Sequence, residues 1–236
     1  MRQIHPIPQG GNHPLSFDPA RCIPLPESFF ARDARSVARS LLGKVLICGR
    51  GRKLRAGRVV EVEAYLGESD PAAHAASGCT PRNAVLFGPP GRAYVYFIYG
   101  RYFCLNVACQ PTGKAGCVLF RALEPVAGVA AMSRSRGIVF NGDADVDSSR
   151  RERTLRNLTS GPSRLCDALE ITRAKHNSLE LFNRESGLWI GDDGYPTARI
   201  ATTPRIGITN PAARDWPLRY VLAGNRFVSG TRQQRV

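Results

Sequence analysis

The sequence predicts an α+β fold: a single domain with a mixed, largely antiparallel curved sheet, surrounding helices and a protruding β-hairpin. Three observations predict it. Strand-like alternation recurs in several closely spaced segments, few of these are separated by a crossover helix of the kind a parallel sheet needs, and 236 residues at 43% hydrophobic content suffice to bury one core.

Taken in chain order, residues 1–26 hold six prolines and little periodicity, which reads as a loosely ordered N-terminal arm before a domain spanning 27–236. Asp33 serves as N-cap of a helix whose apolar face is Ala34, Val37, Ala38, Leu41 and Leu42, with Gly43 as terminator. Lys44 to Cys48 is a short strand. From Leu54 to Leu66 the alternation sends Val60, Val62 and Ala64 to one face and Glu61, Glu63 and Tyr65 to the other. Ala93 to Phe97 and Tyr102 to Cys109 form a hairpin that turns at Ile98-Tyr99-Gly100-Arg101. Cys117 to Leu123 is a further strand. Arg134 to Arg153 is charged, contains Asn141-Gly142-Asp143, and reads as a mobile loop. Gly161-Pro162-Ser163 opens a helix.

The charge balance, 33 Lys plus Arg against 19 Asp plus Glu, gives +14 and favours a polyanionic partner, nucleic acid before membrane. Only four of the basic residues are lysine (Lys44, Lys53, Lys114, Lys175). Arginine's planar fork suits phosphate, although genomic composition produces the same bias. Seven scattered cysteines without a Cys-x-x-Cys pair fit a reduced, intracellular protein, and the dispersed histidines His5, His13, His74 and His176 argue against zinc. No apolar run reaches the roughly 18 residues of a membrane span, and no signal peptide is visible. The expectation is a soluble protein without metal or cofactor, in which nothing requires more than a monomer.

Glu63 is the first chemical candidate. Periodicity alone favours a solvated strand edge for it, but Tyr65 on the same face suits an acid in a pocket acting as general base on water. Glu61 shares the face, yet neighbours at i and i+2 do not flank a substrate as a glycosidase pair does. Tyr94, Tyr96, Tyr99 and Tyr102 are the second constellation. Packing is the default for each except Tyr99, which sits at the hairpin tip beside Gly100 and Arg101, where it suits insertion between stacked bases or a protein contact. Arg82, in Thr80-Pro81-Arg82-Asn83, can hold a phosphate or a carbonyl. Ser163 and Arg164 at a helix start offer backbone amides and a cation to phosphate.

Taken together, Glu61-Val62-Glu63-Ala64-Tyr65-Leu66-Gly67, Asp70 to His74, Thr80-Pro81-Arg82-Asn83, Tyr94-Val95-Tyr96, Ile98-Tyr99-Gly100, Tyr102-Phe103-Cys104-Leu105-Asn106, Arg121-Ala122-Leu123-Glu124-Pro125 and Gly161-Pro162-Ser163-Arg164-Leu165-Cys166 closely resemble the alkyladenine (3-methyladenine) DNA glycosylase family, over about Phe29 to Val228. The resemblance implies that damaged purines in double-stranded DNA are rotated out of the duplex and their N-glycosidic bond cut by a water. It makes Glu63 the base that deprotonates the water and Arg121 a residue that holds acid and water. Tyr65 and Tyr96 would sandwich the flipped base beside His74, and Asn106 would line the pocket floor against guanine's exocyclic amine. Tyr99 would fill the gap in the stack, with Arg82, Arg101, Tyr102, Ser163 and Arg164 toward the DNA. With no lysine in the Glu63–Tyr65 or Tyr94–Asn106 motifs, a monofunctional enzyme that leaves the abasic site uncut is expected. Two other readings are a catalytically silent nucleic-acid-binding module and a sugar hydrolase unrelated to DNA; the second leaves the +14 charge unexplained.

Overall fold

The computed structural model describes residues 17–139, 148–196 and 199–230. Among these residues nine strands form one sheet: β1 (Ile23–Pro24), β2 (Val45–Cys48), β3 (Arg55–Tyr65), β4 (Ala93–Ile98), β5 (Tyr102–Ala108), β6 (Cys117–Ala127), β7 (Leu188–Asp192), β8 (Ile200–Thr203) and β9 (Arg219–Leu222). The helices are α1 (Glu27–Phe30), α2 (Ala34–Leu41), α3 (Val129–Ser135), α4 (Ser148–Thr159), α5 (Pro162–Leu169) and α6 (Arg173–His176). The fold is α+β, and the sheet curls into a half-barrel. Every strand pairing among the described residues is antiparallel, so the mixed sheet expected from sequence contains no parallel pair.

Strand order is β1-β7-β2-β3-β6-β5-β4, with β9 and then β8 branching from β3. β3 is the spine. One of its edges runs along β6, while the other is shared: Arg55–Arg58 pair with β2, and Glu61–Glu63 pair with β9. Being paired on both edges buries β3 from Ala56 to Ala64. The face carrying Val60, Val62 and Ala64 packs with Phe120 and Ala122 of β6 against Val37, Ala38 and Leu41 of α2 and Leu165 and Leu169 of α5. A smaller cluster of Ala75, Leu86, Tyr94, Ala108, Ala115 and Cys117 lies on the other face, joined by Tyr65 and Tyr96.

α2 starts as its sequence dictates, with Asp33 accepting from the Arg35 backbone N–H at 2.9 Å. The β4–β5 loop is three residues, Tyr99 to Arg101, with Tyr99 at φ 50° and Gly100 at φ 63° both left-handed and the Arg101 N–H donating to the Ile98 carbonyl at 3.1 Å. Beyond β3, Gly67 has φ 81°, and a Cβ there would meet the Ala115 carbonyl oxygen at 1.9 Å, so that turn closes onto the β5–β6 connection only with glycine.

Two boundaries differ from the sequence reading. The charged stretch read as a loop over 134–153 contains the end of α3 and the start of α4; its residues 140–147 lie outside the described ones. α4 hides a narrow apolar edge in a charged composition: Leu158 is fully buried, and Thr159 donates to the Leu123 carbonyl at 2.6 Å. Within the segment read as an arm, Ile23–Pro24 pairs with Gly191 and Asp192 of β7, and Cys22 is buried beneath it. Residues 1–16 lie outside the described ones.

Candidate active site

Glu61, Glu63 and Tyr65 leave β3 on the face opposite the main core, and both carboxylates are 0% exposed. The solvated edge that periodicity favours is therefore absent: β9 pairs along this half of β3, and the Ile206 and Ser229 backbone N–H groups bond the two carboxylates. Offset bulges bring the counter-charge in. Between Val59↔Leu123 and Glu61↔Ala122 the extra residue is Val60 on β3, and between Glu61↔Ala122 and Val62↔Phe120 it is Arg121 on β6. A bulged residue is re-aimed relative to the ladder. Arg121 spans both acids, with Nε donating to Glu61 Oε1 at 2.9 Å and Nη1 lying 3.1 Å from Glu63 Oε1.

An ionised carboxylate taken out of water costs several kcal/mol unless charge and hydrogen bonds offset it. Glu61 receives Arg219 Nε at 2.7 Å as well as Arg121, and Ser229 through both its backbone N–H (2.6 Å) and its hydroxyl (2.9 Å). Burial works against ionisation of Glu61, but the two arginines outweigh it and hold the group below the usual carboxylate range. Glu63 accepts from the Ile206 backbone N–H at 2.7 Å and from the Tyr65 hydroxyl at 3.1 Å. Burial and the adjacent Glu63 raise Tyr65 well above its ordinary value, so its hydroxyl stays a donor. Of the roughly four lone-pair directions of a carboxylate, Arg121, Ile206 and Tyr65 take three. The fourth, on Oε2 beside the Tyr65 hydroxyl, takes no hydrogen bond among the described residues.

Next to this acid lies a cavity of about 70 Å³ lined by Tyr65, Ala72, His74, Tyr94, Tyr96, Asn106 and Cys117. Tyr65 and Tyr96 come from β3 and β4, three strand spacings apart, which would be about 14 Å on a flat sheet. Curling of the sheet brings both to one cavity. Behind Tyr65, the Arg205 guanidinium lies 4.5 Å from the ring centroid, held in a buried two-pronged pair with Asp70. His74 Nδ1 and the Tyr94 hydroxyl are 2.9 Å apart, and the His74 ring meets Tyr96 edge-on at 4.5 Å. Burial and then the nearby Arg82 lower the His74 pKa below 6.5, leaving a neutral ring with one donor and one acceptor. The buried Asn83 clamps the loop that carries His74, donating to the carbonyls of His74 (2.8 Å) and Gly78 (3.0 Å) and accepting from the Thr80 N–H (2.7 Å). Asn106 is fixed by its own bond to the Tyr94 carbonyl at 3.2 Å.

Six sequence candidates thus converge: Glu63, Arg121, Tyr65, His74, Tyr96 and Asn106. Glu63 does not itself line the cavity; Tyr65 connects the two. Arg82 is exposed on the rim, where its charge reaches His74 and Tyr94. Ser163, in the first turn of α5, lies beside Cys104, which borders Tyr96. Tyr99, Arg101 and Tyr102 lie apart at the hairpin end, Tyr99 at 91% exposure and the Arg101 guanidinium 5.4 Å from the Tyr102 ring centroid. Arg164 is exposed on α5 and bonds back to the Ser160 carbonyl at 3.4 Å. Among the described residues, no group of three His, Cys, Asp or Glu could hold a metal ion. No described helix is long and apolar enough to cross a membrane.

Residues 28–226 match the family described as "Methylpurine-DNA glycosylase (MPG)". The chain belongs to this family. Relatives of the same family type carry the name "Putative 3-methyladenine DNA glycosylase". One from Koribacter versatilis (strain Ellin345) is 54% identical over 90% of this chain and 96% of its own. Those from Burkholderia lata and Clostridium botulinum (strain Langeland) are 45% and 43% identical, each over 87% of this chain and over 91% and 98% of their own.

Sequence reasoning on this family member missed Arg205, the Ile206 amide, Arg219 and Ser229. Once the acid face is known to be buried, two acids against a single arginine leave a charge uncompensated, and Arg219 in the short apolar run Leu218–Leu222 is the cation that answers it. Backbone donors such as Ile206 leave no trace in composition.

Proposed function

We propose that this glycosylase removes damaged purines, alkylated adenine and guanine first among them and hypoxanthine and etheno adducts as further substrates, from double-stranded DNA. The base rotates out of the duplex into the cavity between Tyr65 and Tyr96. Glu63 takes a proton from a water at its free lone pair while the water oxygen bonds to the sugar C1′. The electrons of the C1′–N bond leave with the base, so a cationic alkylpurine departs neutral, and the duplex keeps an abasic site. A good leaving group asks for an activated water and a fitted pocket more than for a strong acid, which is what the residues supply. No lysine lines the cavity, and without an amine to form a Schiff base the abasic strand stays intact. The protein would act on DNA inside the cell, as the first step of base excision repair, and as a monomer.

The observation that carries this reading is the fully buried Glu63, bonded by three partners among the described residues and joined through Tyr65 to an aromatic cavity. A module that only binds phosphate gains nothing from a buried acid. Glu63→Gln should lower release of 3-methyladenine from alkylated duplex by about 100-fold or more while duplex affinity persists. Normal release by that variant would overturn the assignment.

A further inference from the structure

Glu61 does not line the cavity, yet it collects four hydrogen bonds from three residues, two of them beyond residue 218. We propose that Glu61, fixed by Arg219 and Ser229, is a positioning residue for the reaction, so that the C-terminal segment belongs to the catalytic apparatus. This rests on the reading of Glu63 as the base.

The argument turns on what one guanidinium can do. Arg121 presents a fork, and facing a lone carboxylate such a fork settles into two parallel bonds that occupy both oxygens. Here it does not, because its Nε is spent on Glu61 and Nη1 alone reaches Glu63, on Oε1. Glu61 thereby withholds half of Arg121 from Glu63 and keeps Oε2 free for Tyr65 and a water. Glu61 can compete this way only while it stays ionised and still. Arg219 supplies the second positive charge that balances two buried acids against two arginines, and itself bonds the Thr203 hydroxyl (3.0 Å) and the Ser229 carbonyl (3.3 Å). Ser229 holds both Glu61 oxygens and is anchored by its buried neighbours Phe227 and Val228. The family match stops at residue 226, three residues short of Ser229.

The test compares two rates and one affinity in the full chain. Release of 3-methyladenine from alkylated duplex is measured with enzyme in excess, beside the dissociation constant for a duplex carrying an unreactive tetrahydrofuran abasic analogue. Glu61→Gln should slow release by about 100-fold, and Ser229→Ala, which keeps the backbone N–H bond, by about 10-fold, as expected when a reacting group is misplaced by a fraction of its own size. Affinity for the analogue should stay within about twofold for both, because neither residue faces DNA. Parallel loss of release and affinity would mean a merely structural role and overturn the proposal. If Glu61→Gln fails to fold, Ser229→Ala decides, and an unchanged release rate overturns it. Normal release by Glu61→Gln beside an inactive Glu63→Gln sinks this proposal alone, whereas a fully active Glu63→Gln sinks the reading of the site on which it rests.

Discussion

Tyr65 divides its side chain between two tasks. Its ring lines the cavity with Arg205 at its back, and its hydroxyl ties Glu63. Tyr65→Phe keeps the ring and removes the donor, so release of 3-methyladenine should fall by about 10-fold with little change in duplex affinity, measured under single turnover. Asp70 makes a prediction of a different kind. Burial opposes its ionisation, but hydrogen bonds from Arg205 and from the backbone of Ala72 and Leu66 prevail and hold it below an aspartate's ordinary 3.8. In the interval between folded and unfolded values the unfolded chain binds the extra proton. The contribution to stability is therefore complete above the ordinary value and fades as pH falls through the folded one. Urea melts of Asp70→Asn should show lower stability at neutral pH and a shallower decline below about pH 4 than the parent. Of this residue scale, Glu63 was legible as a pocket acid in part from Tyr65 two positions later and above all from the ordered motifs shared with the family. Its burial was not legible, since the strand that covers it begins more than 150 residues downstream and alternation records a face without saying what packs there.

Among the elements, the β4–β5 hairpin was the most readable, because Gly100 marks the turn and alternating apolar residues mark both arms. Its tip also carries a cost that the sequence hides. Tyr99 is left-handed at φ 50°, which disfavours a bulky residue by about 1 kcal/mol or more. Tyr99→Asn should therefore raise thermal stability slightly while lowering release from duplex DNA. Tyr99→Ala should impair lesions in duplex more than the same lesions in single strands, where no gap in a stack needs filling; equal losses would assign Tyr99 another role. α4 was unreadable for a physical reason. Its apolar edge is narrow, and Arg150, Arg151, Glu152 and Arg153 give its first turns the composition of a loop. The short strands β7 and β9 owe their existence to partners far along the chain, which no local pattern announces.

For the molecule as a whole, the main core and the candidate active site sit on opposite faces of one sheet. Phe120→Ala would hollow the helix-covered face and should cost about 3–5 kcal/mol in denaturant melts, while the acids on the other side keep their bonds. The net charge of +14 bears on binding instead. Duplex affinity should fall steeply with salt, the logarithmic slope being about −0.9 per phosphate contacted. A nearly flat salt dependence would favour a sugar substrate without phosphates. Composition made this scale legible, as charge and core size are sums over residues and survive ignorance of the fold.

The sharing of β3 between β2 and β9 has a consequence for biosynthesis. Glu61 is made 158 residues before Arg219 and 168 before Ser229. At common translation speeds that is a delay of roughly 10 to 30 s. Through that interval the two acids have no second arginine, and their half of β3 has an open edge, while the half beside β2 can already pair. The proposed catalytic centre thus closes late, and a nascent chain halted before residue 218 should exchange the Ala64 amide hydrogen rapidly, because its acceptor is the Leu218 carbonyl, and leave DNA untouched.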